Sequence, residues 1–138
     1  MKKYEQIEHT ADLGAKIYGT TLPELFENAA FCMFDMMTDL SKVVDGESIE
    51  IKAEAPDKES LLVVWLNELL YAATTGELIF SEFDVKSLDE NSILAEARGR
   101  KLKAIEGIID VEIKAATFHD VEIAEGELGY EVVIVFDV

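Results

Sequence analysis

Apolar residues recur along the chain with two periods, and each period predicts a different element. Between residues 21 and 37 they return every three or four positions, which is the spacing of an amphipathic helix. Thr21 and Glu24 match the capping-box pattern at the start of this stretch, and Pro23 is tolerated in a first helical turn. The sequence therefore predicts a first helix with Thr21 at its N-terminus.

A second helix is predicted over residues 58–75, with Asp57 as its N-cap and Gly76 closing it. Its residues are apolar on nearly every side, and Asn67 and Glu68 are the polar interruptions. A helix with this pattern is buried in an interior or at an interface.

Alternation with a period of two predicts strands over much of the remaining sequence. In residues 13–18, for example, Leu13, Ala15 and Ile17 fall on one face. Two helices with about seven strands predict an α+β fold, a single two-layer domain over residues 1–138 in which a mostly antiparallel sheet packs on the helices. The strand candidates are residues 4–9, 13–18, 43–55, 78–88, 92–100, 111–118, 121–124 and 130–137.

The charge balance narrows the classes of partner. Twelve Lys and Arg residues face 29 Asp and Glu residues, so the formal net charge is −17. This charge repels phosphate backbones and anionic lipids, which disfavours extensive nucleic-acid binding and membrane association. It favours a basic protein partner or a bound cation, and solubility alone is the alternative interpretation. A basic run at residues 98–103 either offsets neighbouring acidic strands or contacts a phosphate or an acidic patch of a partner.

The single cysteine, Cys32, lies among apolar residues of the first predicted helix, which is typical of a buried structural thiol. One cysteine cannot form an intrachain disulfide, and this fits the cytoplasm. The N-terminus has no apolar signal region, and the apolar runs are shorter than a membrane span. We therefore expect a cytoplasmic protein that does not cross a membrane.

Two aspartates stand at the ends of predicted strands. Asp12 lies in the polar kink that begins at His9, and Asp137 emerges from the apolar run of residues 132–136 beside Val138. A carboxylate at the rim of a packed sheet needs a basic side chain, backbone N–H groups or a cation as its partner. If Asp12 and Asp137 lie close together, their oxygens and those of Val138 form a hard donor set, which suits Ca²⁺ or Mg²⁺ and is poor for zinc.

Both histidines lie in polar kinks beside carboxylates, His9 three residues before Asp12 and His119 directly before Asp120. Loop positions of this kind often carry function, although a structural role is the commoner one for a lone histidine. Lys114 begins the predicted strand that ends near His119, an arrangement compatible with anion binding or with a solvated lysine. His9, Lys114 and His119 are therefore candidates for contact with a partner or a nucleotide.

Familiar catalytic motifs are absent from the sequence. It contains no glycine-rich phosphate loop, no GxSxG elbow and no zinc-type spacing of Cys and His. We therefore expect a protein that is not an enzyme. A small metal-dependent hydrolase that uses Asp12, Asp137 and His119 is the open alternative.

Several motifs together resemble the archease family. Residues 8–14, Glu-His-Thr-Ala-Asp-Leu-Gly, and residues 19–30 are similar to the archease N-terminal signature. Residues 61–71, with the core Trp-Leu-Asn-Glu-Leu-Leu, are similar to the central helix of the family. Residues 114–119 and 135–138 are similar to its last two blocks. The resemblance spans nearly the whole chain, with the motifs in the expected order.

The resemblance implies a compact α+β fold and an accessory role. Archeases assist the RtcB-type tRNA-splicing RNA ligase by promoting guanylylation of the ligase and multiple turnover. A chaperone-like role for an RNA-modifying enzyme, such as a tRNA methyltransferase, is the alternative within the family. The family binds a divalent cation, commonly Ca²⁺, with Mg²⁺ or Mn²⁺ as further candidates. Its motifs place the cation ligands on Asp12, Asp137 and Val138 of this sequence.

Overall fold

The computed structural model describes residues 2–8, 12–40, 46–101 and 111–138. Within these ranges the strands lie in two separate sheets, and every strand pair is antiparallel. The α+β class with two main helices, expected from the sequence, is confirmed. The elements are β1 (Tyr4–Glu8), β2 (Leu13–Gly19), α1 (Leu22–Met37), β3 (Glu47–Glu54), α2 (Lys58–Gly76), β4 (Leu78–Leu88), β5 (Ser92–Lys101), β6 (Ala115–Ala116), β7 (Ala124–Gly126) and β8 (Gly129–Asp137).

The larger sheet joins strands from the two ends of the chain. Its order is β1-β2-β8-β6, and β7 pairs with the opposite end of β8. The pairing of β2 with β8 runs from Gly19 opposite Tyr130 to Leu13 opposite Phe136. The smaller sheet has the order β3-β5-β4 and is built from the middle of the chain.

Both helices contact both sheets. Helix α1 packs on β2 and β8 and also on β4, whereas α2 packs on β3, β4 and β5 and also on β6. This position explains why α2 is apolar on nearly every side, as the sequence predicted for a buried helix. Trp65 of α2 is fully buried, and its Nε1 donates to the Phe26 carbonyl of α1 at 3.0 Å. Among the helices of the described ranges, none is long and apolar enough to cross a membrane.

The helix ends largely follow the predicted capping residues. Thr21 is the N-cap of α1 and accepts from the Glu24 N–H at 3.2 Å, while the Glu24 carboxylate accepts from the Thr20 N–H at 3.1 Å. Asp57 caps α2 as predicted. The prediction for the other end of α2 was wrong by one position. Gly76 is still helical, and the following residue, Glu77, takes the left-handed conformation with φ 53°.

The predicted strand over residues 111–118 was wrong in extent. Only Ala115 and Ala116 pair with β8. The buried residues of this segment are Ile113 and Ala116, which lie three positions apart. Side chains on one face of a strand lie two positions apart, so this spacing does not fit a continuous strand. The segment therefore packs on α2 as well as pairing with β8.

Candidate functional site

One end of the larger sheet brings the two candidate aspartates to neighbouring positions. Leu13 and Phe136 form the last pair of β2 and β8. Asp12 directly precedes Leu13 and Asp137 directly follows Phe136, so each aspartate lies one position beyond this last pair. Facing residues such as Leu13 and Phe136 hold their Cβ atoms about 5 Å apart, so the backbones that lead to the two aspartates lie side by side. Ile134, Val135 and Phe136 are all buried, and Asp137, at the end of β8, is exposed.

The backbone of Asp137 is held by β6. Ala115 of β6 pairs with Asp137, and the neighbouring Phe136 pairs with Leu13 of β2. The Lys114 N–H donates to the Asp137 carbonyl at 2.8 Å. Lys114 therefore contacts Asp137 through its backbone, and the side chain of Lys114 is exposed. We call Asp12, Asp137 and Val138 the aspartate rim.

The C-terminal end of α1 lies near this rim. The Val111 N–H donates to the Met37 carbonyl at 3.4 Å, and three residues further on Lys114 bonds to Asp137. Three residues of extended chain span at most about 11 Å. The C-terminal end of a helix carries partial negative charge, and the last turn of α1 contains no basic residue to offset it. The helix and the two carboxylates therefore favour a cation at this end of the sheet.

Of the remaining candidate residues, the structure describes His119 and Val138. His119 lies in an exposed turn after β6, with its Nε2 3.3 Å from Asp120 Oδ2 and its N–H donating to Thr117 Oγ1 at 3.4 Å. Val138 directly follows Asp137 and is partly exposed. His9 lies outside the described residues, as does the end of the basic run beyond Lys101.

The donor chemistry of the rim fits a hard cation. Two carboxylates with backbone oxygens beside them are the oxygen ligands that Ca²⁺ and Mg²⁺ take. In the described ranges, no group of three or more His, Cys, Asp or Glu side chains is arranged to hold a metal ion. A cation at the rim would therefore rely on the oxygens of Val138 or on water as well. The hydrolase alternative needs His119 together with both aspartates, and the described residues contain no such group.

Sequence reasoning missed two residues of α2 that fasten the segment beside the rim. The Asn67 side chain exchanges two hydrogen bonds with the backbone of Ala116, and Glu59 Oε2 accepts from the Ile123 N–H at 3.1 Å. The signal was present for Asn67, since a polar residue inside a buried apolar helix requires a partner. Its partner could not be found from the sequence, because it lies 49 residues away.

Two helices flanked by antiparallel sheets, with an aspartate pair where the two chain ends meet, define a small α+β protein with a carboxylate rim. The model of the Archease protein family (MTH1598/TM1083) matches residues 4–138. A protein archease of Methanosarcina barkeri is 40% identical, over 99% of this chain and 97% of that protein. A protein archease of Sulfurisphaera tokodaii is 37% identical over the full length of both. The chain belongs to the archease family.

Solved structures agree with this assignment. The solution structure of Methanobacterium thermoautotrophicum protein 1598 covers 100% of both chains, with a TM-score of 0.78 and 36% identity. The crystal structure of a Thermotoga maritima protein, described as "an archease, possible chaperone", covers 97% of this chain and 96% of that one. It has a TM-score of 0.67 at 21% identity, so it supports the fold alone.

Proposed function

We propose that this chain is an accessory protein of an RtcB-type tRNA-splicing RNA ligase, which it activates by promoting ligase guanylylation and multiple turnover. Membership of the archease family supports the class of role. The observation that supports the proposal for this chain is the β2–β8 register, whose last pair is Leu13 and Phe136, the residues directly beside Asp12 and Asp137. In this proposal the chain itself is not an enzyme.

The rim is the proposed site of a divalent cation, with Ca²⁺ as the first candidate. Asp12, Asp137 and an oxygen of Val138 would hold it. Two neighbouring carboxylates repel each other in the absence of a cation, and the nearby C-terminal end of α1 adds to the negative potential. Cation binding relieves this repulsion, which supplies a driving force for occupancy.

Charge also supports the proposed encounter with the ligase. A net charge of −17 steers an acidic protein toward a basic surface, such as an active site that binds RNA and a nucleotide triphosphate. The rim would then lie beside the reacting α-phosphate. A cation there supplies electrostatic stabilisation for the charge that develops on the phosphate. The carboxylates fix where that positive charge stands.

The test compares three isosteric substitutions in a ligase guanylylation assay with GTP. Asp12→Asn and Asp137→Asn each remove one rim charge, and we expect at least about a tenfold loss of the stimulated rate. Asp120→Asn is the matched control, because it removes an exposed carboxylate from the adjoining turn and keeps a residue that tolerates φ 48°. Equal stimulation by all three variants and the wild type would refute the role of the rim.

A thermal-shift titration tests the cation separately from the ligase. A ligand at 100 times its Kd stabilises the folded state by about 2.7 kcal/mol, which raises the Tm of a domain of this size by about 8 °C. We expect such a rise with CaCl₂ for the wild type and for Asp120→Asn. The Asp12→Asn and Asp137→Asn proteins should show little or none.

A chaperone-like role for an RNA-modifying enzyme is the second candidate, because it is the alternative role within the family to which the chain belongs. The two roles differ in what the protein changes. Ligase activation raises the rate of guanylylation of an already folded ligase. Chaperoning raises the yield of active methyltransferase during refolding without changing the rate per active molecule.

A further inference from the structure

The outer edge of β6 is closed by one side chain of α2. β6 pairs with β8 on one side only. On its other side Asn67 Oδ1 accepts from the Ala116 N–H at 2.8 Å, and Asn67 Nδ2 donates to the Ala116 carbonyl at 3.1 Å. The primary amide thus satisfies both backbone groups, as a neighbouring strand would. Ala116 is only 4% exposed, so water cannot readily replace these bonds.

A second contact from α2 fastens the same segment further along. Glu59 lies two helical turns before Asn67 and accepts from the Ile123 N–H at 3.1 Å. Ile113, Ala116 and Ile123 are all buried in the core. The helix therefore runs antiparallel to residues 116–123 and holds them at two polar points. Asn67 is the point nearer to the rim.

Asn67 connects to the aspartate rim through two short steps. The first step is the pair of hydrogen bonds between Asn67 and Ala116. The second step is made by the residues on either side of Ala116. The Lys114 N–H donates to the Asp137 carbonyl, and the Thr117 N–H donates to the Val135 carbonyl at 3.0 Å. β6 is two residues long, so few bonds other than these fix its position against β8. A shift of β6 would release the carbonyl of Asp137, which accepts from the Lys114 N–H, and with it the strand that pairs with this residue.

We propose that Asn67 is a positioning residue for the rim: its side-chain amide stands in for the missing strand beside β6 and so holds the backbone of Asp137 in place. The functional role of this arrangement rests on the proposed function, because the position of Asp137 matters most if the rim binds a cation. The chemistry requires asparagine, because the site needs one donor and one acceptor at a short reach from the helix. Aspartate lacks the donor, and leucine has the same branched shape with neither group.

The experiment compares Asn67→Leu with Asn28→Leu, a matched control. Asn28 is buried, whereas Asn67 is half-buried, and Asn28 Nδ2 donates to the Tyr18 carbonyl at 2.7 Å, tying α1 to the opposite end of β2. Amide hydrogen exchange is followed by NMR at Lys114 and Thr117, whose acceptors lie on β8 and are not removed by either substitution. Amides of β3 report any loss of global stability.

We expect Asn67→Leu to speed exchange at Lys114 and Thr117 by about tenfold relative to the amides of β3, as the loss of two buried hydrogen bonds implies. Asn28→Leu should leave that ratio at its wild-type value. Unchanged relative exchange in Asn67→Leu would overturn the proposal, whether or not the protein binds a cation.

A calcium titration of the same proteins distinguishes positioning from mere stabilisation. If Asn67 orients the rim, Asn67→Leu weakens Ca²⁺ binding at least about fivefold, while Asn28→Leu, with a similar loss of stability, binds as the wild type does. Wild-type affinity in Asn67→Leu would overturn the positioning role. Absence of Ca²⁺ binding by the wild type would instead count against the cation in the proposed function, and the exchange measurement would still decide the role of Asn67 at β6.

Discussion

Gly99 of β5 lies where the backbone of the neighbouring strand β4 leaves no room for a side chain. A Cβ built on Gly99 would stand 2.0 Å from the Ile79 carbonyl oxygen and 2.9 Å from the Phe80 Cα, both in the backbone of β4. Carbon and carbonyl oxygen approach to about 3.3 Å across strands, so Gly99→Ala must push β4 outward by about 1.3 Å. Ile79 is 3% exposed and Phe80 is fully buried, so this movement carries core side chains with it.

The expected loss of stability follows from the core side chains that β4 carries. Phe80 meets the ring of Phe34 edge-on, with centroids 5.6 Å apart, so an outward shift of β4 disturbs the packing between the smaller sheet and α1. Overpacking costs about 1–3 kcal/mol, and strained hydrogen bonds between β4 and β5 add about 1 kcal/mol. We expect Gly99→Ala to lower the free energy of unfolding by about 3 kcal/mol and the Tm by about 10 °C.

Urea unfolding followed by Trp65 fluorescence measures this change, because Trp65 is the only tryptophan and is fully buried. Gly126→Ala is the control, since a Cβ at Gly126 meets nothing within 4 Å. Alanine there should leave stability unchanged or raise it by about 0.5 kcal/mol through the lower entropy of the unfolded chain. A Gly99→Ala protein within about 0.5 kcal/mol of the wild type, with the same m value, would refute the predicted clash.

Three further predictions concern buried or hydrogen-bonded polar groups. Burial raises the pKa of Tyr4, so its hydroxyl remains a donor to Asp35 Oδ2 at 2.8 Å, and Tyr4→Phe should lower the free energy of unfolding by about 1 kcal/mol in urea. Burial also raises the pKa of the Cys32 thiol, so Ellman's reagent should label it only after unfolding. The hydrogen bond from the Asn91 N–H lowers the pKa of Asp89 in the folded state. The ionised Asp89 carboxylate therefore stabilises the folded state above about pH 4, and this contribution is lost as the pH falls through the lowered pKa. Asp89→Asn should therefore flatten the acid limb of a plot of stability against pH.

Local patterns predicted most of the elements. The predicted strand over residues 78–88 coincides with β4. On the face predicted for Leu13, Ala15 and Ile17, the last two are fully buried and Leu13 is partly buried. The N-caps of both helices were predicted correctly, because Thr21 and Asp57 accept hydrogen bonds from N–H groups three residues further on. Interactions of this range are encoded by adjacent residues, so periodicity and capping chemistry are enough to find them.

The division of the strands into two sheets could not be predicted in the same way. Nothing local distinguishes β8, which pairs with β2, from β5, which pairs with β3 and β4. The proximity of Asp12 and Asp137 could be stated only as a condition, because it depends on a pairing between opposite ends of the chain. The hydrogen bonds of Asn67 depend on the same long-range arrangement.

The strand order also has a consequence for the newborn polypeptide on the ribosome. β8 lies between β2 and β6 in the larger sheet, yet it is translated after every other described strand. Until Phe136 leaves the exit tunnel, the buried face of α1 and the edge of β2 lack the strand that covers them. Non-local pairing of this kind is slow to form, and the waiting apolar surface is prone to aggregation. We therefore expect the larger sheet to complete its folding only after β8 has emerged.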